Sequence, residues 1–487
     1  MNVQVLGLRN DAISPRKMFV LLVLVEAIIM YFMLWGDRYT IAYFLAIALT
    51  PLLLLLIPIE PVIGIPFMLI ATGFDFFAQI DKMEDQLFNL TYFHIIMLIT
   101  FVAVVLNSFL RRKTSFPTCS LWAPMIAFLV MIAISLIYTP HFMVGFLELF
   151  RLAVLLTLAF VIMISIDNKG KLEFVVGCLI VIPLGVSLFT MYEIVTEGAF
   201  FASQINRMAT DLGLHLYRST GTFHNPNDLA CFLMIGITTA FAVIFLDKIG
   251  TVMKIVLLAV IGVISIGMIA SFSRGGWLST FSAIFILIAL HRKWSYFALM
   301  GGLFMVIVFI LLIKYPELVM GATGRLLTIF NPASEDSSSS RISLIRTGFW
   351  MWQDHPLFGV GAGGFPYYAY DYIDPAMPRA LAIVDDPHTV QSKILSEEGL
   401  IGFVLAAWAV ITVLFEGLRS IPKIQDDFLR KIQIGMTALY CGFVVNFTFA
   451  SDLFNNTFWM TVGIIYAIPL IAQNIEKKRD LGVPADF

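Results

Sequence analysis

The sequence predicts an all-α protein, a polytopic transmembrane helical bundle of about 12–14 spans with one large periplasmic loop containing short helices. Three observations predict it. Of 487 residues, 59% are hydrophobic and only 13% are charged, whereas a soluble domain has roughly a quarter of its residues charged. The apolar residues gather in runs of about 20, the length that crosses a hydrocarbon core as a helix. Late in the chain this pattern stops between Pro316 and about Gln391, far longer than structureless connections usually run unless they are functional.

The candidate spans lie near 18–35, 40–58, 61–79, 90–110, 121–139, 147–166, 172–195, 228–246, 255–273, 275–291, 296–315, 397–418, 432–450 and 456–474. Only Ile59-Glu60-Pro61 divides the second from the third, so twelve or thirteen spans is an open alternative to fourteen. The first run, from Met18 to about Trp35, is too long for a cleavable signal and has no small-residue cleavage site; it reads as a signal anchor. Cys119, Cys178, Cys231 and Cys441 show neither CxxC nor zinc-ligand spacing and read as small apolar fillers.

The positive-inside rule sets orientation. With a cytoplasmic N-terminus and every span crossing, the inner connections collect 19 of the 31 basic residues, among them Arg111, Arg112 and Lys113, then Lys169 and Lys171, then Arg430 and Lys431. The chain is therefore expected to be multi-pass, with its N-terminus cytoplasmic and the loop on the non-cytoplasmic face. Four regions follow: an N-terminal bundle over 1–227, spans carrying Arg274 over 228–316, the loop over 317–391, and C-terminal spans over 392–487.

The outer half of the later chain is rich in arginine: Arg207, Arg218, Arg274, Arg325, Arg341, Arg346 and Arg379. Its lysines are Lys314 and Lys393, at helix ends where snorkelling accounts for them. Guanidinium offers a rigid fork that matches phosphate oxygens and stays charged when partly desolvated. The loop is not a basic patch, because its four arginines face eight acids. Specific placement of arginine is what would matter, and nucleic acid is not an expected partner.

Within the loop, Ser337 to Ser340 read as an N-cap cluster opening a helix that stops near Asp354 before His355-Pro356. Its Ile342, Ile345, Phe349 and Trp352 suit a membrane-interface face, while Arg341 and Arg346 sit roughly 140° apart and should not share one site. Gly359 to Gly364 resembles a nucleotide loop only superficially. No strand precedes it and no GK[ST] follows, so it reads as a flexible turn toward the membrane. Asp371 with Asp374, and Asp385 with Asp386, are solvated loop acids or a divalent-cation site. His388 stands at the membrane boundary, where a histidine can take up a proton. Arg274 is pinned between two apolar runs, a costly place for an unpaired charge. Arg151 and Glu148, three residues apart, either neutralise each other or mark a site. Asn225 and Asn227 open the eighth span as helix caps or as ligands of sugar hydroxyls.

In this order the segments resemble the O-antigen ligase and repeat-unit polymerase superfamily of bacterial envelope glycosyltransferases. Thr222-Phe223-His224-Asn225-Pro226-Asn227 is similar to its asparagine-containing helix start, and Ser271-Phe272-Ser273-Arg274-Gly275-Gly276 to its Ser-Arg-Gly segment. Arg341 through His355-Pro356-Leu357-Phe358-Gly359-Val360-Gly361 resembles the loop helix and the turn after it, and His388 followed by Gly399 matches the family spacing. The resemblance covers residues 222 to 402; the first seven spans contribute topology alone.

The resemblance implies transfer of a glycan from a polyprenyl-pyrophosphate donor to an acceptor hydroxyl, with inversion. Arg274 and Arg341 would hold the pyrophosphate, His388 would act at the acceptor, and Arg218 would assist; Asn225, Asn227, Arg346 and Arg151 are further candidates for substrate binding. No cofactor is expected, since the donor is already activated, and a divalent metal stays open. Membrane lipids, a lipid or glycan acceptor, and envelope assembly proteins such as a chain-length regulator are the partners implied. Ligase and repeat-unit polymerase differ only in the acceptor. A lipid-linked oligosaccharide transporter would instead bury charge at the bilayer midplane, whereas here charge gathers at the outer face.

Overall fold

The computed structural model describes residues 50–74, 91–110, 119–196, 207–209, 215–314, 336–372, 386–450, 453 and 455–481, with isolated positions at 20, 24–26, 28, 316, 319–320 and 323–324. Most of the first span and half of the second therefore lie outside the described residues, as do Arg325, Arg379, Asp374 and Asp385.

Among the described residues the regular structure is helical, apart from a two-stranded antiparallel hairpin, β1 (Arg207–Ala209) with β2 (His215–Tyr217). The N-terminal helices are α1 (Thr50–Ile59), α2 (Gly64–Gly73), α3 (Tyr92–Leu110), α4 (Trp122–Ser135), α5 (Phe142–Ser165) and α6 (Lys169–Val195). Then come α7 (Pro226–Ile244), α8 (Thr251–Ala270), α9 (Arg274–His291), α10 (Ser295–Lys314), the loop helices α11 (Asp336–Asp354) and α12 (Phe365–Tyr368), and finally α13 (Val390–Ser420), α14 (Asp427–Asn446) and α15 (Asn456–Asp480). Among the described residues, nine helices are long and apolar enough to cross a membrane: α3, α5 to α9, and α13 to α15. The third and fifth predicted spans appear as shorter apolar helices, Pro61–Gly73 and Trp122–Ser135. Glu60, in extended conformation, separates the second from the third.

Helices that are apolar all round belong in the centre, and α6, α7, α14 and α15 are buried on most of their surface. Apolar side chains gain little from leaving lipid for one another, so these helices approach through small residues. A Cβ on Gly276 of α9 would overlap that of Ala230 of α7, and one on Gly435 of α14 would overlap that of Ala242 of α7. The lipid-facing side shows on α13, where Val404, Trp408 and Phe415 are exposed.

One end of the bundle is fastened by ion pairs. Lys171 Nζ lies 2.6 Å from Glu60, Lys169 2.8 Å from Asp426, and Lys431 2.6 Å from Asp247. These contacts put the 59–61 divider, the 167–171 connection and the 426–431 connection on one face, the grouping that lysine and arginine counting had made.

The loop at the other end is folded. Leu344 and Met351 of α11, Val360, Phe365 and Ala369 make a small core of their own, apart from that of the bundle. Helix α11 ends at Asp354 as predicted but begins at Asp336, so Ser337 to Ser340 lie in its first turns and are not residues ahead of it. Ile342, Ile345 and Phe349 are exposed, as an interface-facing stripe requires. The glycine segment after α11 is not the flexible turn expected: Val360 is 4% exposed and Ala362 1%. Its backbone lies against the start of α13, with Val360 N donating to Ser396 O at 2.9 Å and Gly361 N to Glu397 O at 2.8 Å. The twelfth span also starts earlier than 397. Helix α13 is two helical pieces meeting at Gly399 (φ 65°, ψ −164°), and the first, from Val390, belongs to the loop side.

Candidate functional site

Two helix starts meet at one corner. Asn225 caps α7 by accepting from Asn227 N at 2.9 Å, and Ser273 caps α9 by accepting from Gly276 N at 3.2 Å. The Asn227 carboxamide oxygen joins them, since it accepts both Arg218 Nη2 at 2.7 Å and Ser273 Oγ at 2.9 Å. Arg218 Nε donates to Ser271 O at 2.7 Å, and Ser219 N to Ala270 O at 3.1 Å. Arg218, whose sequence match is the poorest of the set, is thereby fixed beside the turn that carries Arg274, the first residue of α9. Below, buried Glu193 of α6 accepts Gly221 N at 2.8 Å and the Ser219 hydroxyl, so the turn after Arg218 is tied to the bundle. Sequence reasoning missed Glu193; an acid at the end of an apolar helix was the available signal.

The end of α14 carries this corner to His388. A Cβ on Gly275 would touch Phe449, and Phe447 O accepts Val390 N at 3.1 Å. Thr389 caps α13, with Oγ1 accepting Ser392 N at 3.1 Å, and His388 N donates to Asp386 Oδ1 at 2.7 Å. Helix α11 lies on the same first turn of α13, where a Cβ on Gly348 would overlap Ser392 Oγ and Ser392 Oγ donates to Ile345 O at 3.4 Å. Arg341, half-buried, lies about one helical turn before Ile345; Arg346 is exposed, so the two take different faces as their spacing required. Tyr372 donates to Asp354 Oδ2 at 2.8 Å, and burial together with that carboxylate raises its phenol above the ordinary range.

Among the described residues, three that are not glycine have positive φ: Phe272 (49°), Arg292 (55°) and His388 (58°). Left-handed backbone is costly for such residues and collects at functional turns. Two of the three lie in the segments that carry Arg274 and His388. Phe272, 1% exposed, stays there because its ring is buried. His388 is held by the Asp386 turn on one side and the Thr389 cap on the other.

A buried charge cluster lies directly behind. Lys393 Nζ pairs with Glu148 of α5 at 2.6 Å, and the two side chains are 18% and 15% exposed. Lys393 is therefore a buried partner and not a snorkelling lysine, and the partner found for Glu148 is Lys393, where the sequence had offered Arg151. Arg151 sits one turn further along α5, half-buried. Glu397 accepts Phe365 N at 3.1 Å and Glu398 accepts Ser135 Oγ at 3.2 Å. The run Ser396-Glu397-Glu398-Gly399 inside an apparent apolar span was the sequence signal for this cluster. Asp371 and Asp386 are the described members of the two acid pairs; no group of three metal-ligating side chains comes together among the described residues.

The family model described as O-antigen ligase matches residues 257–407. Residues 257–407 are thus similar to the O-antigen ligase family. The matched stretch runs from within α8, past the loop, to just beyond the break at Gly399. It contains Arg274, Arg341, Arg346 and His388, while Arg151, Arg218, Asn225 and Asn227 precede it. The match supports a membrane glycosyltransferase of O-antigen ligase type. No curated protein matches the chain. A solved chain from work on "Structural coordination of polymerization and crosslinking by a peptidoglycan synthase complex" is similar at a TM-score of 0.40 and 13% identity, covering 72% of this chain and 96% of that one.

Proposed function

We propose that the protein transfers a glycan from a polyprenyl-pyrophosphate donor to an acceptor hydroxyl at the corner where α7, α9 and α13 begin. One observation carries the reading. The starts of these three helices are joined through Asn227, Ser273 and the end of α14, with Arg218, Arg274 and His388 on the joined turns. Helix starts and guanidinium groups both favour a polyanion. A small apolar cavity of about 50 Å³ is lined by Val390, Ile394, Ala409, Val413, Tyr440, Phe447 and Trp459 and reaches within two residues of His388.

In the reaction the acceptor oxygen bonds to the anomeric carbon as the bond to the lipid pyrophosphate breaks. Arg274, Arg341 and Arg218 stabilise the charge that grows on the departing pyrophosphate, the electrostatic logic of an oxyanion hole. His388 takes the hydroxyl proton, and a single displacement inverts the anomeric centre. The reaction is expected in the inner membrane on its periplasmic face.

Arg341→Ala and His388→Ala are each expected to abolish transfer from lipid-linked glycan, extracted from membranes of a strain lacking this protein, while membrane abundance is unchanged. Wild-type transfer in both variants would overturn the assignment.

A further inference from the structure

We propose that Lys393, gripped by Glu148, is a positioning residue for His388, setting how the histidine meets the acceptor; the inference rests on the transferase reading above. Lys393 lies on the first turns of α13, five residues after His388. Its ammonium is 2.6 Å from Glu148, a residue of a different helix, with both side chains largely buried. It also stands in the field of Glu397 and of Asp386, the residue whose carboxylate accepts His388 N. One cation thus joins α5 to the first piece of α13, five residues past the His388 that the Asp386 turn keeps at φ 58°.

The cluster is poorly explained as stabilisation. Burying an ion pair withdraws two charges from water, and well-packed apolar residues often replace such a pair without loss of stability. What the pair supplies is direction, because it sets the rotation and depth of one short helical piece. That piece has a direction of its own, since α13 is broken at Gly399. The acid-rich wall completes the device. Glu397 holds the glycine turn through Phe365 N and Glu398 holds Ser135 of α4, so every element around the helix start is fastened near Lys393. A left-handed histidine persists only where its surroundings over-determine it, and these contacts provide that.

The test uses purified full-length protein and three measurements: turnover with extracted lipid-linked glycan, binding of undecaprenyl pyrophosphate as probe, and thermal unfolding. Lys393→Met is expected to lower kcat by about 100-fold, the scale of an ångström-sized misplacement, with probe affinity unchanged. Lys393→Arg, which keeps the cation, is expected to recover most of that turnover. If Lys393→Met does not yield folded protein, Glu148→Gln/Lys393→Met, which removes both charges, carries the same expectation. Wild-type kcat in the folded variant would overturn the proposal, as would a kcat loss that falls in step with probe affinity and unfolding temperature. His388→Ala separates the two ideas. If the wild-type protein shows no transfer, the transferase reading fails; if wild type transfers and His388→Ala does so equally well, the role of His388 and with it the positioning role fail; if His388→Ala is inactive while Lys393→Met turns over normally, only the positioning role fails.

Discussion

Asn227 shows how much of the candidate site depends on a single acceptor. Its carboxamide oxygen receives both the Arg218 guanidinium and the Ser273 hydroxyl, so it sets the distance between the start of α7 and the start of α9. A hydrogen bond to a charged group contributes about 1.5–3 kcal/mol, equivalent to roughly 10- to 150-fold in an equilibrium constant. Asn227→Leu removes the acceptor and leaves Arg218 without that anchor. Binding of undecaprenyl pyrophosphate by purified protein is expected to weaken by about that factor, and Asn227→Asp, which keeps an acceptor oxygen, is expected to lose less. Equal affinity in Asn227→Leu and wild type would remove Asn227 from the site. Residue types at this corner were legible in the sequence, where Arg274 between two apolar runs and the paired asparagines stood out. The partners were not. Arg218 and Ser271 are 53 positions apart, and no local pattern reports a bond across that separation.

At the scale of elements, the glycine turn and the helix break have one cause. Gly359 (φ 67°) and Gly399 (φ 65°) pack backbone against backbone: a Cβ on the first would overlap the carbonyl of Glu397, and one on the second that of Leu357. Each glycine supplies a left-handed residue and a close approach that no side chain permits. The hydrogen bonds from Leu400 N to Pro356 O at 2.9 Å and from Ile401 N to Leu357 O at 3.2 Å complete the crossing. Gly359→Ala pays for an alanine in left-handed backbone, about 1–2 kcal/mol, and adds the overlap. It is expected to lower the unfolding temperature of the purified protein by several degrees and to reduce transfer. An unchanged unfolding temperature would show that the turn is loose in solution. The sequence displayed both glycines, and local reasoning read the first as flexibility. Burial of the turn depends on α4 and α13, whose Ser135 and Glu397 arrive from far along the chain.

The whole molecule sorts its ionisable groups by end. Lys171 with Glu60, Lys169 with Asp426 and Lys431 with Asp247 cluster at one. Lys393 with Glu148, and α11 with Arg341 and Arg346, occupy the other. Hydropathy and lysine/arginine counting made this division visible in advance, because a bilayer imposes it on every span independently of how the spans pack. The same independence explains what stayed hidden, since packing decides which helices are central and how long each must be. It shortened the third and fifth spans to Pro61–Gly73 and Trp122–Ser135. The division makes a prediction about sidedness. Gln353, on the last turn of α11, and Lys423, after α13, are both exposed and lie at opposite ends. In a background with the four native cysteines replaced by alanine, Gln353→Cys is expected to react with a membrane-impermeant maleimide in intact spheroplasts. Lys423→Cys is expected to react only after the membrane is opened. The reverse pattern would invert the protein and place its arginines and His388 on the cytoplasmic side. A lipid-linked donor would then have to be used before it is flipped, and a periplasmic acceptor would be out of reach.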